Sequence, residues 1–260
     1  MTDASAEAPD RLRRERDLFL ALLELGDDPQ ALLVVVEAAD ASREAVERLL
    51  ARVSERRVAE VVGEERYQRV QEALAAYSMP PEWISRMKVW AAMMTLSVPP
   101  SSTGLFMDLS LSLRAAGARM KVVGLETLEQ QLAFLEEMPL DQQLELLDHA
   151  LDEYRKVEEV HRTLVDAYLH NDPEALMKLS DEQMAELAPA LRTYFMSQGV
   201  DARNHRMLES LLARLDEGTV FAAVGALHLP GQNGLVALLR QRGYELQPLP
   251  FPLSVPQAGR

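Results

Sequence analysis

Along this chain apolar positions recur mostly three and four residues apart, the interval of helices that bury one stripe, and a few short apolar runs interrupt that rhythm. Leu12, Leu18, Phe19, Leu22 and Leu25 predict an amphipathic helix over 11–25, stopped by Gly26, Asp27, Asp28 and Pro29. Further helices are predicted over about 42–53, 55–77, 81–96 and 105–117. The longest helical pattern runs from Leu140 to His170 and ends at Asn171-Asp172-Pro173, where proline cannot continue a helix. Thr127 and Gln130 have capping-box spacing, as do Ser180 and Gln183, and Asp201 stands where it would cap a helix over 202–215.

The interrupting runs read as strands. Ala31–Val36 is continuously apolar and rich in valine, as expected of a strand covered on both faces, and Glu37 closes it. Met120–Val123 is a second strand, followed by Gly124-Leu125-Glu126-Thr127, which places Glu126 at a strand-to-helix turn. Thr219–Val224 is a third, ended by Gly225, with His228 three residues on; a helix over 233–242, Gly243 and a returning strand over 244–249 complete the unit. The expectation is an α/β fold: a small, mostly parallel sheet of about four short strands, with a large helical insertion over about 42–117 and 127–200. One domain over 1–260 is expected, with a fraying Pro-rich tail over 250–260.

Composition narrows the chemistry. The chain has 260 residues, 48% of them hydrophobic, enough for a sizeable core. A formal net charge of −14 argues against nucleic acid and anionic membrane surfaces as partners, because both are bound through clustered Lys and Arg. There is no cysteine, so any metal must be held by His, Asp, Glu or Asn. The polar, acidic start lacks the features of a secretory signal, and the most apolar stretch, 90–99, is too short to span a bilayer and reads as core. A cytoplasmic protein with no membrane insertion is therefore expected.

The string VGALHLPGQNGLVALLRQRGY from Val224, with G-x-x-H at Gly225 to His228 and the pair Arg203-Asn204 one helix earlier, resembles the C-terminal signature of the TraB/GumN family, which includes the animal Tiki proteins. GLETLEQQLAFLEEMPLDQQLELL from Gly124 and DAYLHNDPEALMKL from Asp166 are similar to the same family, so the resemblance runs from about Leu33 to Leu249. It implies an α/β fold with a helical insertion and, from the Tiki branch, metal-dependent hydrolysis of peptides through two G-x-x-H motifs and acidic residues. On the matching positions His228 and Glu37 would be metal ligands, while Glu126, Arg203 and Asn204 would be catalytic. His228 with the acids is an oxygen-rich set better suited to manganese or magnesium than to tight zinc binding. The alternative is a non-catalytic relative that uses its cleft for binding or regulation.

One departure matters. The family's first G-x-x-H strand should precede Leu33–Glu37, and this chain has no such motif. An incomplete site and a shortened N-terminus follow as expectations. So does a gap at the sheet, through which the chain would self-associate, with Arg203, Glu126 and His228 still sharing one rim.

Overall fold

The computed structural model describes residues 32–35, 57–100, 107–170 and 172–249. The chain is predominantly helical. Strand β1 (Leu32–Val35) precedes helices α1 (Val58–Val61), α2 (Glu64–Ala75), α3 (Pro81–Ile84), α4 (Val89–Leu96) and α5 (Met107–Gly117). Strand β2 (Lys121–Gly124) leads into α6 (Leu128–Glu136), α7 (Leu140–Glu153), α8 (Val157–Leu169), α9 (Pro173–Met184) and α10 (Pro189–Tyr194). A π-helical stretch, Phe195–Asp201, joins α10 to α11 (Ala202–Leu215); β3 (Val220–Ala223) and α12 (Leu235–Gln241) follow.

This corrects the expected α/β class with about four strands. Among the described residues only three four-residue strands occur, in a parallel sheet of order β2-β1-β3, and helices carry most of the rest. The expected strand over 244–249 is absent. Gly243 leaves α12 at φ +90, the Tyr244 amide bonds back to Leu239 O at 3.2 Å, and Tyr244 and Leu249 are exposed, so the segment closes the helix end instead of joining the described strands. The predominance of helix has a packing cause: the larger core is built entirely of helical and loop residues, among them Val70, Leu74, Ile84, Leu96, Leu135, Leu147 and Leu191. Ion pairs tie its surface, such as Arg66 on α2 donating to both carboxylate oxygens of Asp148 on α7 at 2.6 and 2.8 Å.

The small sheet has its own two cores. On one face Val123 and Val220 pack against Leu125, Met207, Leu208, Leu211, Leu235 and Leu238 of the turn, α11 and α12. On the other, Val122 and Phe221 pack against Ala115 of α5. The alternation of Val122 with Val123, and of Val220 with Phe221, is the period of two that a strand imposes. Among the described residues β2 and β3 each pair on one side only, with β1.

Local details also differ from expectation. The run from Leu140 to His170 is not one helix: a 3-10 turn over Tyr154–Lys156 divides it. Ser180 and Gln183 lie inside α9, which instead starts at Pro173 and is capped by Asp172, whose Oδ1 accepts from the Ala175 amide at 2.9 Å. The expected helix over 55–77 is interrupted at Gly63, where φ is +78, a backbone region that favours glycine. Thr127 and Gln130 do form the capping box of α6. In the 90–99 stretch Met93 and Leu96 are buried, whereas Met94 is exposed. The expected helices over 11–25 and 42–53, the acid Glu37 and the tail over 250–260 lie outside the described residues.

Candidate functional site

The buried stripe of α11 is Arg203, Asn204, Met207, Leu208 and Leu211, a spacing of three and four that drives one face onto the sheet. Its apolar members sit in the core beside β2 and β3, and its two polar members occupy the N-terminal end of the same face. That face therefore carries Arg203 and Asn204 into a buried position beside the turns that leave β2 and β3. Asn204 is 1% exposed and Arg203 8%. A buried polar group must find a partner or cost stability, and both residues find theirs in those two turns.

Arg203 meets Glu126. The turn after β2 buries the Glu126 carboxylate completely, and Arg203 Nε donates to its Oε2 at 2.8 Å. Its other oxygen, Oε1, faces Arg206 Nε at 3.4 Å, a longer contact from a side chain that is 40% exposed. Glu126 is thus held between two guanidinium groups. In a planar guanidinium the Nε and Nη2 hydrogens form one fork, which normally grips both oxygens of a carboxylate. Here only Nε is used, and Arg203 Nη2 is buried with no hydrogen-bond partner. An orphaned donor of this kind costs about 1–3 kcal/mol unless a water or ligand oxygen satisfies it.

Asn204 meets His228. After β3 the chain makes a short 3-10 turn, Ala226–His228, in which the His228 amide donates to Gly225 O at 2.9 Å. His228 Nδ1 then lies 2.7 Å from Asn204 Oδ1. Asn204 Nδ2 donates to Asn233 O at 2.8 Å, which fixes the amide with its oxygen toward the ring. Because that oxygen can only accept, His228 Nδ1 carries the proton and Nε2 keeps its lone pair. Burial, helped by the positive charge of Arg203, lowers the imidazole pKa from 6.5 to about 4. His228 is therefore neutral at pH 7, an acceptor through Nε2.

Gly234 allows this arrangement. A Cβ there would lie 2.0 Å from Pro230 O and 2.4 Å from Leu229 O, so only glycine fits the turn that presents Asn233 O to Asn204. Asn233 is itself anchored, its Nδ2 donating to Asp201 Oδ2 at 2.9 Å. Asp201 does not make the expected side-chain cap: it has helical φ and ψ, ends the π-helical stretch and holds the Asn233 amide instead. The structure thus brings together four of the five residues expected at the site: Glu126, Arg203, Asn204 and His228. Glu37, the fifth, lies outside the described residues. Arg206 and Asn233 were not expected there; the position of Arg206 three residues after Arg203, on the same helix face, is the signal that points to it.

As a metal centre the described residues fall short. Three protein ligands are usual for a catalytic ion. His228 Nε2 offers a lone pair, but both Glu126 oxygens are taken by guanidinium groups, and among the described residues no group of three or more His, Asp or Glu could hold a metal ion. The arrangement does supply one buried cationic donor, Arg203 Nη2, and one neutral acceptor, His228 Nε2.

Comparison with known proteins agrees with the motifs. The chain is 26% identical over 195 residues to Metalloprotease TIKI2 of Xenopus tropicalis; the match takes in 65% of this chain and 37% of that protein. No solved structure matches. Residues 20–248 match the TraB/PrgY/gumN family. With most of its length so matched, and with the Arg203-Asn204 pair and His228 drawn together at the strand ends, this chain belongs to the TraB/PrgY/gumN family.

Proposed function

We propose that the cluster of Glu126, Arg203, Asn204 and His228 binds a peptide, through the carbonyl or carboxylate oxygen at Arg203 Nη2 and a peptide N–H at His228 Nε2. The observation that carries this reading is the pairing of an unpartnered buried donor with a fixed neutral acceptor. A peptide group offers the complementary acceptor and donor. Glu126 and Asn204 then serve as holders: the carboxylate fixes the guanidinium and neutralises part of its charge, and the amide fixes the ring tautomer. With its pKa near 4 the imidazole is a weak base at pH 7, so the described residues favour binding over unaided proton abstraction. The test is retention of a random N-acetylated octapeptide mixture by the purified chain, read by mass spectrometry. Losing a hydrogen bond from a charged group, as in Arg203→Met, should reduce retention roughly tenfold or more. Equal retention by the wild type and the variant contradicts the proposal.

A second reading has one specific observation behind it. An imidazole whose Nδ1 proton is held by an acceptor, with Nε2 free, is the usual condition of a metal-ligating histidine. The Xenopus relative is named as a metalloprotease. In this reading the chain is a metal-dependent peptide hydrolase, and His228 would hold a divalent ion such as manganese together with donors outside the described residues, Glu37 being the candidate. Metal analysis after incubation with manganese decides it. Stoichiometric metal in the wild type that is lost in His228→Ala supports hydrolysis, and no stoichiometric metal in either removes this reading.

A further inference from the structure

How Arg203 comes to face Glu126 is a separate question from what the site binds, and the answer lies one turn earlier in the chain. The helical path from Pro189 to Leu215 is unbroken, but its middle, Phe195–Asp201, is π-helical, with hydrogen bonds reaching one residue further than in an α-helix. Such a stretch widens the turn and rotates everything after it. Arg203 is the second residue of α11, so its direction is set by how this stretch is seated.

The seat is Phe134. Gly199 is the buried residue of the π stretch, and a Cβ there would lie 3.2 Å from Phe134 Cε2, closer than side chains normally pack. The Phe134 ring also meets Phe195 edge to face at 5.4 Å and 88°. Tyr194, the last residue before the π stretch, donates its hydroxyl proton to Phe134 O at 2.7 Å. Phe134 belongs to α6, the helix that begins directly after Glu126 and Thr127. One short helix thus grips the π stretch near its C-terminal end and, through the turn before it, offers Glu126 to Arg203.

We propose that Gly199 and Phe134 are positioning residues: the bare Gly199 backbone lying on the Phe134 ring sets the rotation of α11 that delivers the Arg203 guanidinium onto Glu126. Gly199 shows no positive φ, so alanine there tests the ring contact rather than backbone strain, and its better helix propensity works against general unfolding.

The experiment follows the Arg203 Nε–H signal by NMR in the isotope-labelled full chain, assigned through its loss in Arg203→Met. In the wild type this proton should be protected from solvent exchange by its bond to Glu126. Gly199→Ala should reduce that protection about tenfold, the worth of one hydrogen bond, while the melting temperature stays within a few degrees. Gly199→Ala combined with Phe134→Leu, which opens space for the added methyl, should restore it. Leu147→Ala, a cavity in the helical core that leaves both Gly199 and Phe134 in place, serves as the control that lowers stability without altering the ring contact. Unchanged protection in Gly199→Ala, or the same loss in Leu147→Ala, overturns the inference. If Gly199→Ala does not fold, Phe134→Leu alone decides it: reduced Arg203 protection supports the positioning role, and unchanged protection refutes it.

Discussion

Replacing Arg203 with methionine separates the worth of a buried ion pair from that of an exposed one around the same carboxylate. Glu126 has no exposed side-chain surface, and its short contact is the 2.8 Å bond from Arg203 Nε. Removing one partner of a buried pair leaves an uncompensated charge and costs about 3–5 kcal/mol. Arg206 remains, at 3.4 Å and 40% exposed, and recovers part of the loss, so about 3 kcal/mol is expected. Arg206→Met should cost roughly 1 kcal/mol or less, since its contact is long and wet. Urea denaturation measures both as shifts of the unfolding midpoint, with the slope of the transition showing whether the unfolded reference has changed. Adding Glu126→Gln to Arg203→Met should return much of the lost stability, because the buried charge disappears with its partner. The reasoning fails if Arg203→Met costs under about 1 kcal/mol, or if the two arginines cost the same.

His228 gives a pH signature. Its folded pKa, about 4, lies below the unfolded 6.5, so the folded state binds fewer protons; the stability it contributes is complete above pH 6.5 and falls as pH drops from 6.5 to 4. Allowing for its partial exposure, this amounts to about 2–3 kcal/mol, which His228→Gln should remove from a stability-against-pH curve. Gly234→Ala should cost about 3 kcal/mol or more and free the Asn204 amide, because its Cβ would meet backbone oxygens that cannot move aside alone. Chemical denaturation and the Asn204 side-chain amide signals together check it; a loss under 1 kcal/mol would show that the turn adapts.

The placement of the candidate residues was more legible in the sequence than the class of fold, and the reasons are physical. Arg203 and Asn204 were legible through their match to the family's Arg-Asn pair, and the structure buries them on the helix face they share with Met207, Leu208 and Leu211. Glu126 and His228 were legible because they follow strand-ending glycines, and turns after parallel strands converge. The run over 244–249 alternates like a strand but pairs with none of the described strands, and spacing alone cannot reveal that. The division of the 140–170 pattern at Tyr154–Lys156 is equally hidden: the apolar stripe is regular on both sides, and the break carries no glycine or proline. The π-helical stretch leaves no mark in a hydrophobic pattern, and the ring it meets, Phe134, comes from a helix some sixty residues earlier in the chain.

The nitrogen NMR spectrum of the His228 side chain at pH 7, recorded with and without the N-acetylated octapeptide mixture, bears most directly on the central claim. The account predicts a neutral ring protonated on Nδ1, because Asn204 Oδ1 accepts that proton, and a change confined to Nε2 when peptide is added. A ring that is cationic at pH 7, one protonated on Nε2, or an Nε2 signal indifferent to peptide would contradict it.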